Sequence, residues 1–190
     1  MEVKGDGFRR WCLPKELMDA KLQNGERTSP ARLAKGPLRQ ALALAVFFSV
    51  VFVAAALGGL ATASSVGAWY AGLAKPSWTP PPWLFGPAWT FLYMTMALAA
   101  WLVWRRSGWG RALRWFAAQL ALNAAWSPVF FGLRQPGWGF GVIVLLWLAI
   151  GGTLVNFWRV THLAGALFVP YWLWVTFAMA LNFAIWQLNR

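Results

Sequence analysis

The chain has 190 residues, 59% of them hydrophobic and only 12% charged, with a formal net charge of +12. A soluble domain carries roughly a quarter charged residues, so this chain cannot cover a water-facing surface, and it is too apolar to remain unfolded. The class left is an integral membrane protein.

All five acidic residues (Glu2, Asp6, Glu16, Asp19 and Glu26) lie near the start, and no carboxylate side chain follows Arg27. Residues 1–40 are mixed polar, with Gly, Pro and clustered charge. They read as a polar N-terminal extension, either disordered or, through FRRWCLPKELMDAKL, a short helix on the membrane surface. The first long apolar run starts late and no cleavage pattern follows it, so no secretory signal is expected. The single cysteine, Cys12, allows no disulfide within the chain.

Five apolar runs follow, at 41–61, 84–104, 112–133, 138–158 and 163–186. Each is long enough, at 1.5 Å per residue, to cross a hydrocarbon layer roughly 30 Å thick. Residues 41–190 are therefore expected to form an all-α integral membrane bundle of five transmembrane helices. Arg32, Lys35, Arg39, Arg105, Arg106, Arg111, Arg114 and Arg159 fall on one side of it, and only Lys75, Arg134 and Arg190 on the other. The positive-inside rule then puts the N-terminus in the cytoplasm and the C-terminus outside. The basicity is a topology signal and requires no nucleic-acid partner.

The first connection, 62–83, is long for a compact protein. It contains KPSWTPPPW (75–83), a stiff aromatic segment, with Thr79 the expected N-cap of the second helix. On the first helix, Ala54, Gly58 and Thr62 form one small-residue ridge, and Ala55, Gly59 and Ala63 another. Either permits close helix approach within one protomer or across a dimer. Pro128 and Pro170 predict local kinks.

Tryptophan is the dominant signal, with 16 residues. Trp104, Trp109, Trp115, Trp158 and Trp186 sit near the expected interfaces and read as an aromatic belt. Trp147 reads as helix packing. Three sets combine indoles with polar or small residues at helical spacing: Trp89 and Tyr93; Gln119, Asn123 and Trp126; and Trp174, Ala178 and Asn182. Each set shares a helix face, and polar groups avoid lipid, so these faces should point into the bundle. Trp138 opens the fourth helix at the same depth. The convergence suits an aromatic-walled cavity for a planar apolar ligand; a packed core bridged by Asn and Gln is the alternative.

No span holds Asp or Glu, so carboxylate proton relays and paired-carboxylate hydrolysis are excluded there. No P-loop or dinucleotide glycine motif appears. Beyond the extension, His162 is the only Cys, His or carboxylate residue, so no metal site is expected; His162 itself reads as a solvated loop residue.

WYAGLAKPSWTPPPWLFGPAWTFLY (69–93), QLALNAAWSPVFFG (119–132) and VPYWLWVTFAMALNF (169–183) resemble, in order and interval, the first loop with second helix, the third helix and the fifth helix of the TspO/MBR family. That family comprises the tryptophan-rich sensory proteins, translocator proteins and peripheral-type benzodiazepine receptors. The resemblance covers 41–190 and implies a five-helix bundle, commonly a homodimer, with a porphyrin-binding pocket near the first loop. The pocket positions it implies are Trp89, Asn123, Trp126, Trp138, Trp174, Ala178 and Leu181; helical spacing adds Tyr93 and Asn182. Ala184 and Gln187 stand where the animal family's cholesterol motif has a tyrosine and a basic residue, so strong sterol binding is not expected. No cofactor is required, and porphyrin or haem enters as ligand. The expected function is a membrane receptor or transporter-like sensor for tetrapyrroles. Two alternatives stay open: a light-dependent porphyrin-degrading enzyme working through Trp89 and Trp174, and a scaffold without ligand.

Overall fold

The computed structural model describes residues 36–190, and the expected N-terminal extension lies almost wholly outside them. Five α-helices follow one another with no strand among the described residues: α1 (Pro37–Ser65), α2 (Pro82–Ser107), α3 (Arg111–Ser127), α4 (Pro136–Val160) and α5 (His162–Leu188). Four of them, α1, α2, α4 and α5, are long and apolar enough to cross a membrane. The third has 17 residues, about 26 Å at the α-helical rise. A π-helical turn, Pro128–Gly132, continues it. Pro128 lacks the N–H that an α-helix would use there, so the ladder changes register at the position where a kink was expected.

The connections set which ends meet. The α2–α3 and α4–α5 turns lie at one end of the bundle, together with Arg105, Arg106, Arg111 and Arg159; this is called the arginine end. The α1–α2 loop, the α3–α4 turn and the C-terminus of α5 lie at the other, called the loop end. Thr161 alone, buried and extended, separates α4 from α5. This tight turn needs Gly165: a Cβ there would collide with the Trp158 ring and stand 2.9 Å from its Cα. Gly108 closes α2 at φ 67, a left-handed conformation that glycine adopts without steric cost, and donates its N–H to Trp104 O at 2.8 Å.

α4 packs most extensively against α5 and α3, and α2 against α5. The resulting core holds Met96, Ala97, Ala99, Ala100, Val103, Leu113, Ile150 and Phe168 with no solvent exposure. The ridge question on α1 resolves for one ridge. Ala54 and Gly58 are buried, and a Cβ at Gly58 would sit 3.4 Å from Ser127 Oγ, so this ridge lets α1 approach α3. Gly59, on the second ridge, has nothing within 4 Å of its Cβ position. The far face of α1 exposes Leu42, Val46, Val50, Val53, Leu57 and Leu60. That spacing makes one continuous apolar stripe, suited to acyl chains.

Two expectations for the first connection need correction. It is not a loop throughout 62–83: α1 runs to Ser65 and a π-helical segment, Val66–Tyr70, follows. The Thr, Ser, Val and Gly residues of this stretch have modest helix propensity, but here packing of Trp69 and Tyr70 against Phe130 and Phe131 holds it. Nor does Thr79 cap α2. Pro81 occupies the N-cap, with proline at the first helical positions and no side-chain cap bond. Thr79 instead closes a turn, donating both its N–H (3.0 Å) and its hydroxyl (2.7 Å) to Pro76 O.

Candidate ligand site

Asn123 joins three helices. Its Nδ2 donates to the Tyr171 hydroxyl at 2.8 Å, and its Oδ1 accepts from the Tyr93 hydroxyl at 3.1 Å. Trp89 stacks on Tyr93, centroids 5.3 Å apart, and meets Tyr171 edge-on at 6.2 Å. Trp89, Tyr93, Asn123 and Tyr171 thus close a ring of contacts across α2, α3 and α5. Asn123 is buried with its amide satisfied on both ends, the usual state of a buried polar group.

Toward the loop end the walls become almost wholly aromatic. Trp126 stacks on Phe130 at 5.2 Å and meets Phe131 edge-on at 5.8 Å. The π-helical segment after α1 contributes Trp69, edge-on to Phe130 at 5.8 Å, and Tyr70, edge-on to Phe131 at 5.4 Å. From α5, Trp174 meets Phe85 of α2 at 5.9 Å and Phe177 at 5.8 Å. Trp78 of the loop covers Phe177 at 5.7 Å. Leu181 and Ile185 are buried against the two phenylalanines, and Ala178 packs on the main core.

The loop above is fastened. Asn189 accepts from the Ala74 N–H at 3.0 Å and donates back to Ala74 O at 2.9 Å and to Ile185 O at 2.8 Å. Lys75 Nζ donates to Ala71 O and Leu73 O and lies 4.8 Å from the Tyr70 ring centroid. Burial pushes the Tyr70 hydroxyl above its usual pKa of 10.0.

Of the nine residues expected at the site, Trp89, Tyr93 and Asn123 meet directly. Trp126, Trp174, Ala178 and Leu181 belong to the adjoining aromatic clusters. Asn182 is buried nearer the loop end on the α4 side, donating to Pro136 O at 3.1 Å. Trp138 is not brought in: it is 74% exposed, on the rim of a separate open cleft. Sequence reasoning missed Tyr171, Phe85, Phe130, Phe131 and Trp69. Tyr171 had a signal, standing i−3 to Trp174 on the same face. The phenylalanines had none, because Phe beside Trp in an apolar run reads as ordinary core.

Most buried polar atoms in proteins find hydrogen-bond partners. Here the indole N–H groups of Trp126 and Trp174 and the Oδ1 of Asn182 are buried with no hydrogen-bond partner. The carboxamide of Gln119, one turn from Asn123, is fully buried with neither end bonded. The arrangement therefore packs flat aromatic rings around a few buried polar atoms that lack partners. No group of three or more His, Cys, Asp or Glu that could hold a metal ion occurs among the described residues. His162 lies exposed at the arginine end, its ring 5.5 Å from Trp158.

Comparison with known proteins gives a consistent picture. The model of the TspO/MBR family matches residues 45–187. Protein CrtK of Rhodobacter capsulatus is 48% identical over 150 residues, covering 75% of this chain and 92% of that protein. The tryptophan-rich sensory protein of Cereibacter sphaeroides is 46% identical over 121 residues, 64% of this chain and 77% of that protein. The human translocator protein is 43% identical over 127 residues, 64% of this chain and 75% of that protein.

Proposed function

The chain belongs to the TspO/MBR family of integral membrane proteins, and from that premise we propose that it is a receptor or transporter-like sensor binding a planar tetrapyrrole at the loop end of the bundle. The observation that supports this reading is the contact of Trp89 with the Tyr93–Asn123–Tyr171 network, with the aromatic clusters of Trp126 and Trp174 adjoining it. Two of those indoles have buried N–H groups without partners. A flat macrocycle with polar edges suits both features: its faces stack on the rings, and its edges take the free donors. Relatives named for sensing and translocation agree with a role of this kind.

In the full reading Trp89, Tyr93, Asn123, Trp126, Trp174, Ala178 and Leu181 line the site. Asn182 stands toward its α4 side, and Trp138 lies apart from it on a separate cleft. The N-terminus faces the cytoplasm, and the protein forms a homodimer. Residues 1–40 are an appended polar segment.

Purified full-length protein titrated with protoporphyrin IX should show saturable quenching of tryptophan fluorescence, and Trp174→Ala should weaken the apparent affinity about tenfold. Equal quenching by variant and wild type would remove the site. A second reading, light-driven porphyrin breakdown through Trp89 and Trp174 with dissolved dioxygen as the oxidant, is favoured by the Trp89–Tyr93 stack, which places an electron donor beside Trp89. Loss of porphyrin over many turnovers under illumination supports it; a stable complex under the same light refutes it.

A further inference from the structure

An open cleft of about 580 Å³ lies at the loop end, apart from the aromatic clusters, lined by Arg134, Gln135, Trp138, Trp186, Asn189 and Arg190 together with the start of α4. Its chemistry differs from that of the rest of the bundle. Two guanidinium groups flank it, and the described residues contain no Asp or Glu side chain to neutralise them; the one carboxylate at the cleft is the α-carboxylate of Arg190, which leaves the cleft net positive. Arg190 is held over the Trp186 ring, 4.3 Å from its centroid. Arg134 sits at φ 56, a left-handed conformation costing a non-glycine residue about 1 kcal/mol or more. A glycine would be cheaper there, so the strained arginine marks a position where side-chain chemistry matters. The 25-residue α4 begins at the cleft with no side-chain cap on its first N–H groups, adding a positive helix terminus. Trp138 presents an indole that is 74% exposed, and Leu133 and Leu188, 67% and 53% exposed, neighbour the arginine turn and the α5 terminus in sequence. Asn189 in its lining is bonded to Ala74 and Ile185.

An oxyanion attached to an apolar body meets all of these features, and a bundle end is where lipid headgroups meet protein. We propose that this cleft binds the phosphate of an acidic phospholipid, with Arg134 and Arg190 on the oxyanion, Trp138 along the glycerol region and the acyl chains descending past the exposed leucines. The site is independent of the tetrapyrrole reading and needs none of the residues the structure brings together there; Trp138 lies outside those clusters.

The test uses the full chain in phosphatidylcholine nanodiscs doped with phosphatidylglycerol, with retained lipid counted by native mass spectrometry. Wild type should retain phosphatidylglycerol in preference to phosphatidylcholine. Arg134→Asn with Arg190→Gln should lower that retention about thirtyfold; asparagine tolerates the left-handed backbone. Arg134→Lys with Arg190→Lys should restore most of it, which separates charge from folding. Equal retention by the neutralised variant overturns the proposal. So does an equal loss on Arg105→Gln with Arg106→Gln at the opposite end, because the preference would then belong to basic surface in general. Displacement of the lipid by inorganic phosphate would overturn the assignment to a lipid and leave a free-oxyanion site.

Discussion

At the arginine end, one residue joins α4 to α5, Trp158 lies directly on Gly165, and Phe116, Phe157 and Phe168 pack within 5.0 to 6.2 Å of one another around alanines with no exposure. At the loop end, a π-turn, a fastened loop and a ring of indoles surround polar atoms, several of which lack partners. The first region is assembled from small residues and backbone approach; the second from large rings that touch edges and leave donors free. The difference teaches where each kind of substitution should act: stability should be lost at the first end and ligand recognition at the second.

The largest expected effect follows from two glycines. Gly165→Ala places a methyl against Trp158 backbone, which cannot yield, and should cost about 3 kcal/mol or prevent assembly. Gly139→Ala meets chiefly the Phe130 side chain, at 2.8 Å, which can rotate. Its cost should be nearer 1 kcal/mol, but porphyrin quenching should fall because Phe130 carries Trp126. Thermal unfolding in detergent compares the two, and a larger loss at Gly139 would break the contrast. Next comes Asn123→Leu, which strands the Tyr171 hydroxyl and unfastens Tyr93. Loss of about 1–2 kcal/mol is expected, against no change if the network is incidental. Gln119→Leu should act with the opposite sign, raising stability by about 1 kcal/mol, because a buried amide without partners is replaced by an apolar group of similar size. A destabilised Gln119→Leu protein would mean that the amide is engaged.

The smallest effect is on pH. Burial raises the pKa of Tyr70, so the folded chain favours its neutral form. That preference is intact below pH of about 10, the unfolded value, and is lost as pH rises through the higher folded value. Melting temperatures measured across the alkaline range should fall more steeply for wild type than for Tyr70→Phe, and parallel curves would show that Tyr70 contributes nothing to the loop's hold.

How much of this was legible in the sequence divides along the same line. The five helices were readable because each apolar run is long and almost free of charge, Arg114 near the start of the third being the one exception. The Asn123 face was readable because a polar residue inside such a run must point inward. The helical stretch through Val66–Tyr70 was not, since its fold depends on Trp69 and Tyr70 finding Phe130 and Phe131, sixty residues away in sequence on the rough count. Thr79 looked like a cap because capping residues and turn residues are the same types, and the prolines after it decided between them. Trp138 matched the expected depth, but its azimuth on α4 turned it outward, and depth alone carries no azimuth.

The account rests on the loop end, and no other part of the bundle, holding the planar ligand. The most direct measurement is the loss of protoporphyrin IX quenching amplitude in single variants, Trp126→Phe and Trp174→Phe at the loop end against Trp158→Phe at the arginine end. A marked loss for the first two with an unchanged third is the predicted result. Equal losses for all three, or a loss confined to Trp158→Phe, would contradict it.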